Sequence, residues 1–154
     1  MTGLEPFARL AELGLAVPPV VPPVAAYVPA VQSGNQVYVS GQLPLADGEL
    51  VATGKAGAEV STDEAKAAAK VCALNVLGAV DALVGLERVV KVVKVVGFVA
   101  SAPGYTDQPI VVNGASELFG QVFGEAGQHA RSAIGVAELP RNVPVEVEAI
   151  FEIG

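Results

Sequence analysis

A chain of 154 residues with a net charge of −7 is long enough for one domain with a real core, and its acidity argues against a nucleic-acid partner, since gripping phosphates needs clustered Lys and Arg. It is 52% apolar, with Ala, Val and Gly supplying most of the bulk, more apolar surface than a small monomer hides, so an oligomer is expected. The lone Cys72 allows no internal disulfide; one Cys with a single His129 leaves little for a zinc site, and no spaced Asp/Glu motif supports an acidic metal site.

In chain order, Leu4, Phe7, Ala8 and Ala11 recur at helical spacing and Gly14 can stop the helix, which should lie on the body of the protein. The stretch Leu13–Val31 is uncharged and apolar, but it contains Pro18, Pro19, Pro22, Pro23 and Pro29 and follows Glu5 and Glu12 rather than a basic region. Prolines at that density break a helix, so no membrane partner and no targeting segment is expected, and the expected location is the cytoplasm. Leu15–Val24 reads as an extended, polyproline-like connector, which divides the chain into an amino-terminal extension (1–24) and a main domain (25–154).

Tyr27–Gln32 and Gln36–Gly41 flank Ser33-Gly34-Asn35 as a strand–turn–strand, and Asp47-Gly48 marks a further tight turn. Gly54–Ala58 is a small-residue loop. Ser61-Thr-Asp-Glu64 fits a capping box, opening a helix whose buried stripe is Ala65, Ala68, Val71, Cys72, Val76, Ala79, Val80 and Leu83. Cys72 on that stripe reads as a small core residue, not a reactive thiol. Arg88–Ser101 is β-branched almost throughout and so a long strand; by simple alternation Lys91 and Lys94 point to opposite faces as solvated or snorkelling edge residues. With both faces otherwise apolar, two helices cover one side and a second subunit must cover the other.

Asp107 can cap a second helix with Pro109 in its first turn and Ile110, Val111, Leu118, Val122 and Phe123 as contacts. Asn113-Gly114 inside it costs about 1 kcal/mol relative to Ala, which suggests close approach by another backbone or a ligand. After Gly124–Gly127, residues 129–137 and Val145–Phe151 alternate as strands around a turn at Leu139–Pro144, reading as a hairpin. Val145, Val147, Ala149, Phe151 and Ile153 share one face, and Glu146, Glu148, Ile150 and Glu152 the other. Aligning Ile134 and Val136 with the apolar face places Arg131, Ala133, Gly135 and Ala137 beside the glutamates, a guanidinium and carboxylates around a small-residue floor. A lone strand Arg near glutamates is more often a structural ion pair than a site; His129 reads as a turn or hydrogen-bonding residue. The element order is β-β-α-β-α-β-β, an α+β sheet with helices on one side.

That order, with Tyr27, Ser40-Gly41-Gln42-Leu43-Pro44, Asn113, Ala130-Arg131-Ser132, Leu139-Pro140 and Val145-Glu146-Val147-Glu148-Ala149, resembles the Rid family (YjgF-type reactive intermediate deaminases) over about Ala25 to Ile153. Gly-Gln-His129-Ala-Arg-Ser is similar to a longer-chain subgroup. The resemblance implies a chorismate-mutase-like fold and a homotrimer with clefts between subunits. It also implies hydrolysis of 2-imino acids, formed from enamines, to 2-keto acids and ammonia without a cofactor. On the same basis Arg131 grips the substrate carboxylate and Glu146 positions the attacking water. Tyr27 would close the cleft from another subunit, Gly41 and Asn113 would line it, and Ala133, where relatives often have Cys, would act through its main chain.

The chemistry suits those residues: a bidentate Arg–carboxylate pair fixes orientation, and an electrophilic imine carbon needs only a placed water and a carboxylate to take its proton. Glu148 beside Glu146, together with burial, would raise one carboxyl pKa. A non-catalytic trimer that binds small carboxylates in the same clefts is the alternative. A chorismate mutase would want several cations where one convincing Arg stands, and a ribonuclease is disfavoured by the acidity and the missing His pair.

Overall fold

The computed structural model describes residues 5–20 and 26–154. In chain order the elements are α1 (Glu5–Glu12), β1 (Ala30–Ser33), β2 (Gln36–Gln42), β3 (Leu45–Ala46), β4 (Glu49–Leu50), α2 (Thr62–Val84), β5 (Val89–Ala100), α3 (Gln108–Phe123), β6 (Ala130–Val136) and β7 (Val145–Ile153). Five strands make one sheet in the order β1-β2-β7-β5-β6, antiparallel except for the parallel pair β5–β6. The expected α+β order is present, with one addition. Asp47 (φ 53°) and Gly48 (φ 80°) form a left-handed two-residue turn that joins β3 to β4 as a separate hairpin.

Both long helices lie on one face, α2 over β2 and β7, α3 over β5 and β6. The capping box of α2 is complete: the Ser61 hydroxyl accepts from the Glu64 amide and the Glu64 carboxylate accepts from the Ser61 amide. At 23 residues, with an 18-residue stretch of mean hydropathy 1.7, α2 is long and apolar enough to span a bilayer, but half of that stretch is buried in the core. Cys72 lies there fully buried, its Sγ 3.6 Å from the Val145 carbonyl, as expected of a core residue. Leu83, assigned to the stripe, is exposed, while the neighbouring Val84 packs against the core instead. In α3 Ile110 is likewise exposed, while Val111, Leu118, Val122 and Phe123 are buried.

α1 rests against α3, but through Pro6 and Leu10; Phe7, Ala8 and Ala11 face outward, and Leu4 lies outside the described residues. Residues 15–20 carry no regular structure, and the Pro18 carbonyl sits against Gly78 of α2. The rest of the expected connector, residues 21–25, lies outside the described residues. Asp107 occupies the cap position of α3 without a capping bond. Gln108 instead donates to the Tyr105 carbonyl (2.8 Å) and to the Ser101 hydroxyl (3.1 Å).

Three readings of the strands are corrected. Val145–Ile153 has the expected faces, but it is no hairpin partner of β6: β5 lies between them and pairs with both. The face of β6 is also inverted. Arg131, Ala133 and Gly135 register with Val95, Gly97 and Val99 on the helix-covered side, while Ile134, 45% exposed, faces outward. Small side chains suit that position because α3 comes close, with Gln108 packed against Gly135 and Val112 against Gly97. Finally, Lys91 and Lys94 share the uncovered face. Register shifts between Val89 and Lys91 and between Val92 and Lys94 restore Val92 and Val95 to the core and turn both lysines outward.

Gly114 explains its place in a helix. A Cβ there would overlap the Lys66 carbonyl of α2, so the two helices meet at contact distance. Gly114→Ala is expected to destabilise the fold by about 1–3 kcal/mol in urea unfolding. Gly120→Ala in the same helix meets open space and should be neutral or stabilise by about 0.4–1 kcal/mol.

Candidate functional site

Two groups of the expected site residues form, and they lie on opposite sides of the sheet. The first sits where the edge strand β6 passes under α3. Arg131 Nη1 donates to Asn113 Oδ1 at 2.7 Å and to Ser116 Oγ at 3.3 Å. Asn113 and Ser116 are three residues apart in a helix and therefore share a face. Ala133, two residues along the strand, packs against the core beside them. The ion pairs among the described residues are Lys55–Glu138 and Lys66–Glu117, so this half-buried guanidinium is held by neutral oxygens. The structural ion pair that is the common fate of such an arginine is not formed. Arg131 lines a shallow cleft of about 360 Å³ with Ser116, Gly120, Gly127, Gln128 and His129.

The second group lies on the uncovered face. Glu146 of β7 registers with Phe98 of β5, and its carboxylate lies over Gly41, filling the space a side chain would take. Gly41 belongs to an irregular stretch of β2, where the pairing skips from Val39–Ala149 to Gln42–Val147. The Ser40 hydroxyl donates to the Val28 carbonyl at 2.7 Å and its amide to the Pro29 carbonyl at 2.8 Å, tying the segment that carries Tyr27 to β2. Tyr27 itself is 56% exposed. Sequence reasoning passed over Asn75. From α2 it donates to the carbonyls of Leu43 (3.0 Å) and Leu45 (2.9 Å), pinning the loop that follows Gly41-Gln42. A polar amide amid the apolar stripe of α2 was the available signal.

Burial pushes the Glu146 carboxyl above its ordinary pKa, and the charge of Glu148 two residues on adds to the effect, the direction expected. Burial also raises the Cys72 thiol well above its ordinary value, with Glu146 contributing, which leaves it un-ionised and unreactive. His129 is shifted down, first by burial and then by Arg131, against the opposing effect of its bond to the Ala130 carbonyl. No group of three or more His, Cys, Asp or Glu arranged to hold a metal occurs among the described residues.

The single pocket of guanidinium and carboxylates is thus not formed within one chain. Arg131, Asn113 and Ala133 share the helix side; Glu146 and Gly41 share the other, with β5 between the two strands. The family model described as Endoribonuclease L-PSP matches residues 19–153. The chain belongs to the Rid/YjgF family. It is 47% identical over 148 residues to Protein TCP17 of Trypanosoma cruzi, covering 95% of this chain and 92% of that one. It is 36% identical over 131 residues to a 2-iminobutanoate/2-iminopropanoate deaminase of Dermatophagoides farinae, covering 85% and 88%. Among solved structures, a protein of unknown function from Agrobacterium tumefaciens, Atu1372, superposes with a TM-score of 0.89 at 45% identity, covering 97% and 92%.

The raised carboxyl pKa has a stability consequence. A group that holds its proton more tightly folded than unfolded contributes stability fully at low pH, and that contribution is lost as pH rises through its folded pKa. Glu146→Gln stays neutral throughout, so its melting temperature should exceed that of wild type near pH ~8 and converge with it in acid below the ordinary carboxyl range. Equal differences at both ends would show that the carboxylate is not strained by its burial.

Proposed function

We propose that the chain is a hydrolytic deaminase of 2-imino acids and their enamine tautomers, releasing a 2-keto acid and ammonia in clefts formed between subunits of a homotrimer. The observation that carries this reading is the guanidinium of Arg131, half-buried and, among the described residues, held by the neutral oxygens of Asn113 and Ser116, its positive charge left for an anionic ligand. A substrate carboxylate completes that site as a charge-assisted bond contributing about 1.5–3 kcal/mol. Glu146, with its raised pKa, suits the second role: it orients a water toward the imine carbon and takes its proton, then returns a proton to the departing ammonia. Asn113 orients the arginine, the main chain at Ala133 lines the floor, Gly41 leaves room for the Glu146 carboxylate, and Tyr27 closes the mouth.

Because Arg131 and Glu146 lie on opposite faces of one sheet, the proposed cleft takes its arginine from one subunit and its glutamate from the next. The curated relative from Dermatophagoides farinae carries the deaminase name, which supports the reaction class. The endoribonuclease description of the family model is not adopted, because a charge of −7 and one histidine suit neither RNA binding nor acid–base cleavage by a His pair.

Arg131→Ala should lower kcat/KM for freshly generated 2-iminopropanoate by about 10- to 150-fold. Unchanged turnover would remove the carboxylate anchor, while absence of turnover in wild type with retained keto-acid binding would favour a non-catalytic carboxylate binder. Subunit mixing tests the shared cleft. Arg131→Ala and Glu146→Gln proteins, each impaired alone, should rise to about one quarter of wild-type activity when unfolded and refolded together, since that share of randomly formed clefts holds neither lesion. No recovery in properly refolded mixtures would place both groups in one subunit's site.

A further inference from the structure

The Arg131 cleft is lined by two side chains that the proposed reaction does not use, Gln128 and His129, and the second has a defined orientation. His129 precedes β6 by one residue and lines the same cleft as Arg131, two residues away. Two residues of extended chain span roughly 6.5 Å, so a ligand held at the guanidinium can reach the imidazole with its other end. The ring is fixed rather than free. Its edge meets Phe119 with centroids 6.2 Å apart and planes at 85°, and Nδ1 lies 3.1 Å from the Ala130 carbonyl oxygen. A carbonyl only accepts, so Nδ1 carries the proton, and in the neutral ring Nε2 is left with a lone pair. Burial favours the neutral ring, and the neighbouring guanidinium does so too, against the opposing effect of the bond to the Ala130 carbonyl. On the α3 side the cleft is walled by Gly120, beside which nothing lies within 4 Å of a would-be Cβ, so space remains for a substrate side chain.

We propose that His129 is a specificity-determining residue of the cleft. Its Nε2 accepts a hydrogen bond from the side chain of a ligand anchored at Arg131, so that 2-imino and 2-keto acids ending in a hydroxyl or amide N–H are preferred over those with alkyl side chains of equal length. This rests on Arg131 as the carboxylate anchor. A purely apolar side chain would leave the lone pair without a donor where it displaces water, which is the source of the discrimination.

The test uses a matched pair of stable keto acids, 4-hydroxy-2-oxobutanoate and 2-oxopentanoate, titrated calorimetrically into the full-length protein. Wild type is expected to bind the hydroxy acid about 3- to 10-fold more tightly. His129→Phe keeps the aromatic packing on Phe119 but lacks the acceptor, and the ratio should fall to about one. His129→Gln, which restores an acceptor oxygen, should recover part of it. Equal affinities in wild type, or a preference that survives in His129→Phe, overturns the proposal while leaving the carboxylate anchor intact. Binding of neither acid removes the anchor itself, and the role of His129 with it. The same ratio measured as kcat/KM on imines generated from homoserine and norvaline must move in parallel; a ratio unmoved by either variant overturns the assignment.

Discussion

The position of β5 between β6 and β7 is the constraint from which the rest follows. β6 lies parallel to β5 and β7 antiparallel to it, so the last two strands, joined by a short turn, never touch. Side chains alternate across a sheet, and the register of each pair decides which face a residue takes. Val95 carries Ala149 on one side and Arg131 on the other, all facing the helices. Phe98 does the same for Glu146 and Ile134 on the uncovered face. An arginine and a glutamate that look adjacent in the sequence pattern are thereby separated by the thickness of the sheet.

That separation has an electrostatic benefit. Were Glu146 or Glu148 of the same chain in contact with Arg131, a closed ion pair would form, and a substrate carboxylate would have to displace a resident one; in the proposed cleft the neighbour's glutamate would instead stand across the substrate from the arginine. Asn113 and Ser116 orient the guanidinium without neutralising it. On the other face Glu146, with Glu148 as its neighbour, is driven toward a raised pKa rather than a lowered one. Glu146 is thus left where burial opposes its ionisation, the pattern expected where proton transfer rather than stability sets the residue.

Much of this was legible in the sequence, and the misses share one cause. The capping box at Ser61–Glu64, the turns at Gly34 and Asp47-Gly48, the faces of Val145–Ile153 and the backbone contact at Gly114 are local signals and were read correctly. The terminal hairpin, the face of Arg131 and the opposed lysines were not. Nothing in the alternation of residues 129–137 announces that another strand intervenes, and the two register shifts in β5 leave no mark in a run of valines. Ile134 misled for a physical reason. A large apolar residue was assigned to the core, whereas α3 passes close to β6 and the small Ala133 and Gly135 take the positions beneath it next to Arg131.

The uncovered face shows why assembly and chemistry are coupled in the proposed trimer. Val31, Tyr38 and Ile134 are each about half exposed there, and Val96, Phe98 and Ile150 lie between them with Lys94, Glu146 and Glu148. A face so apolar gains by contact with another chain, roughly 25 cal/mol for each Å² of apolar surface removed from water. Burying it also dehydrates the carboxylates set into it, and dehydration is what already pushes Glu146 upward in the single chain. Association over this face would therefore act on the proton affinity of the glutamate registered with Phe98 in two opposed ways, dehydration raising it and the neighbour's Arg131 lowering it. In the proposed trimer a dissociated subunit would thus carry an incomplete cleft, its carboxylate lacking the guanidinium that faces it across the substrate.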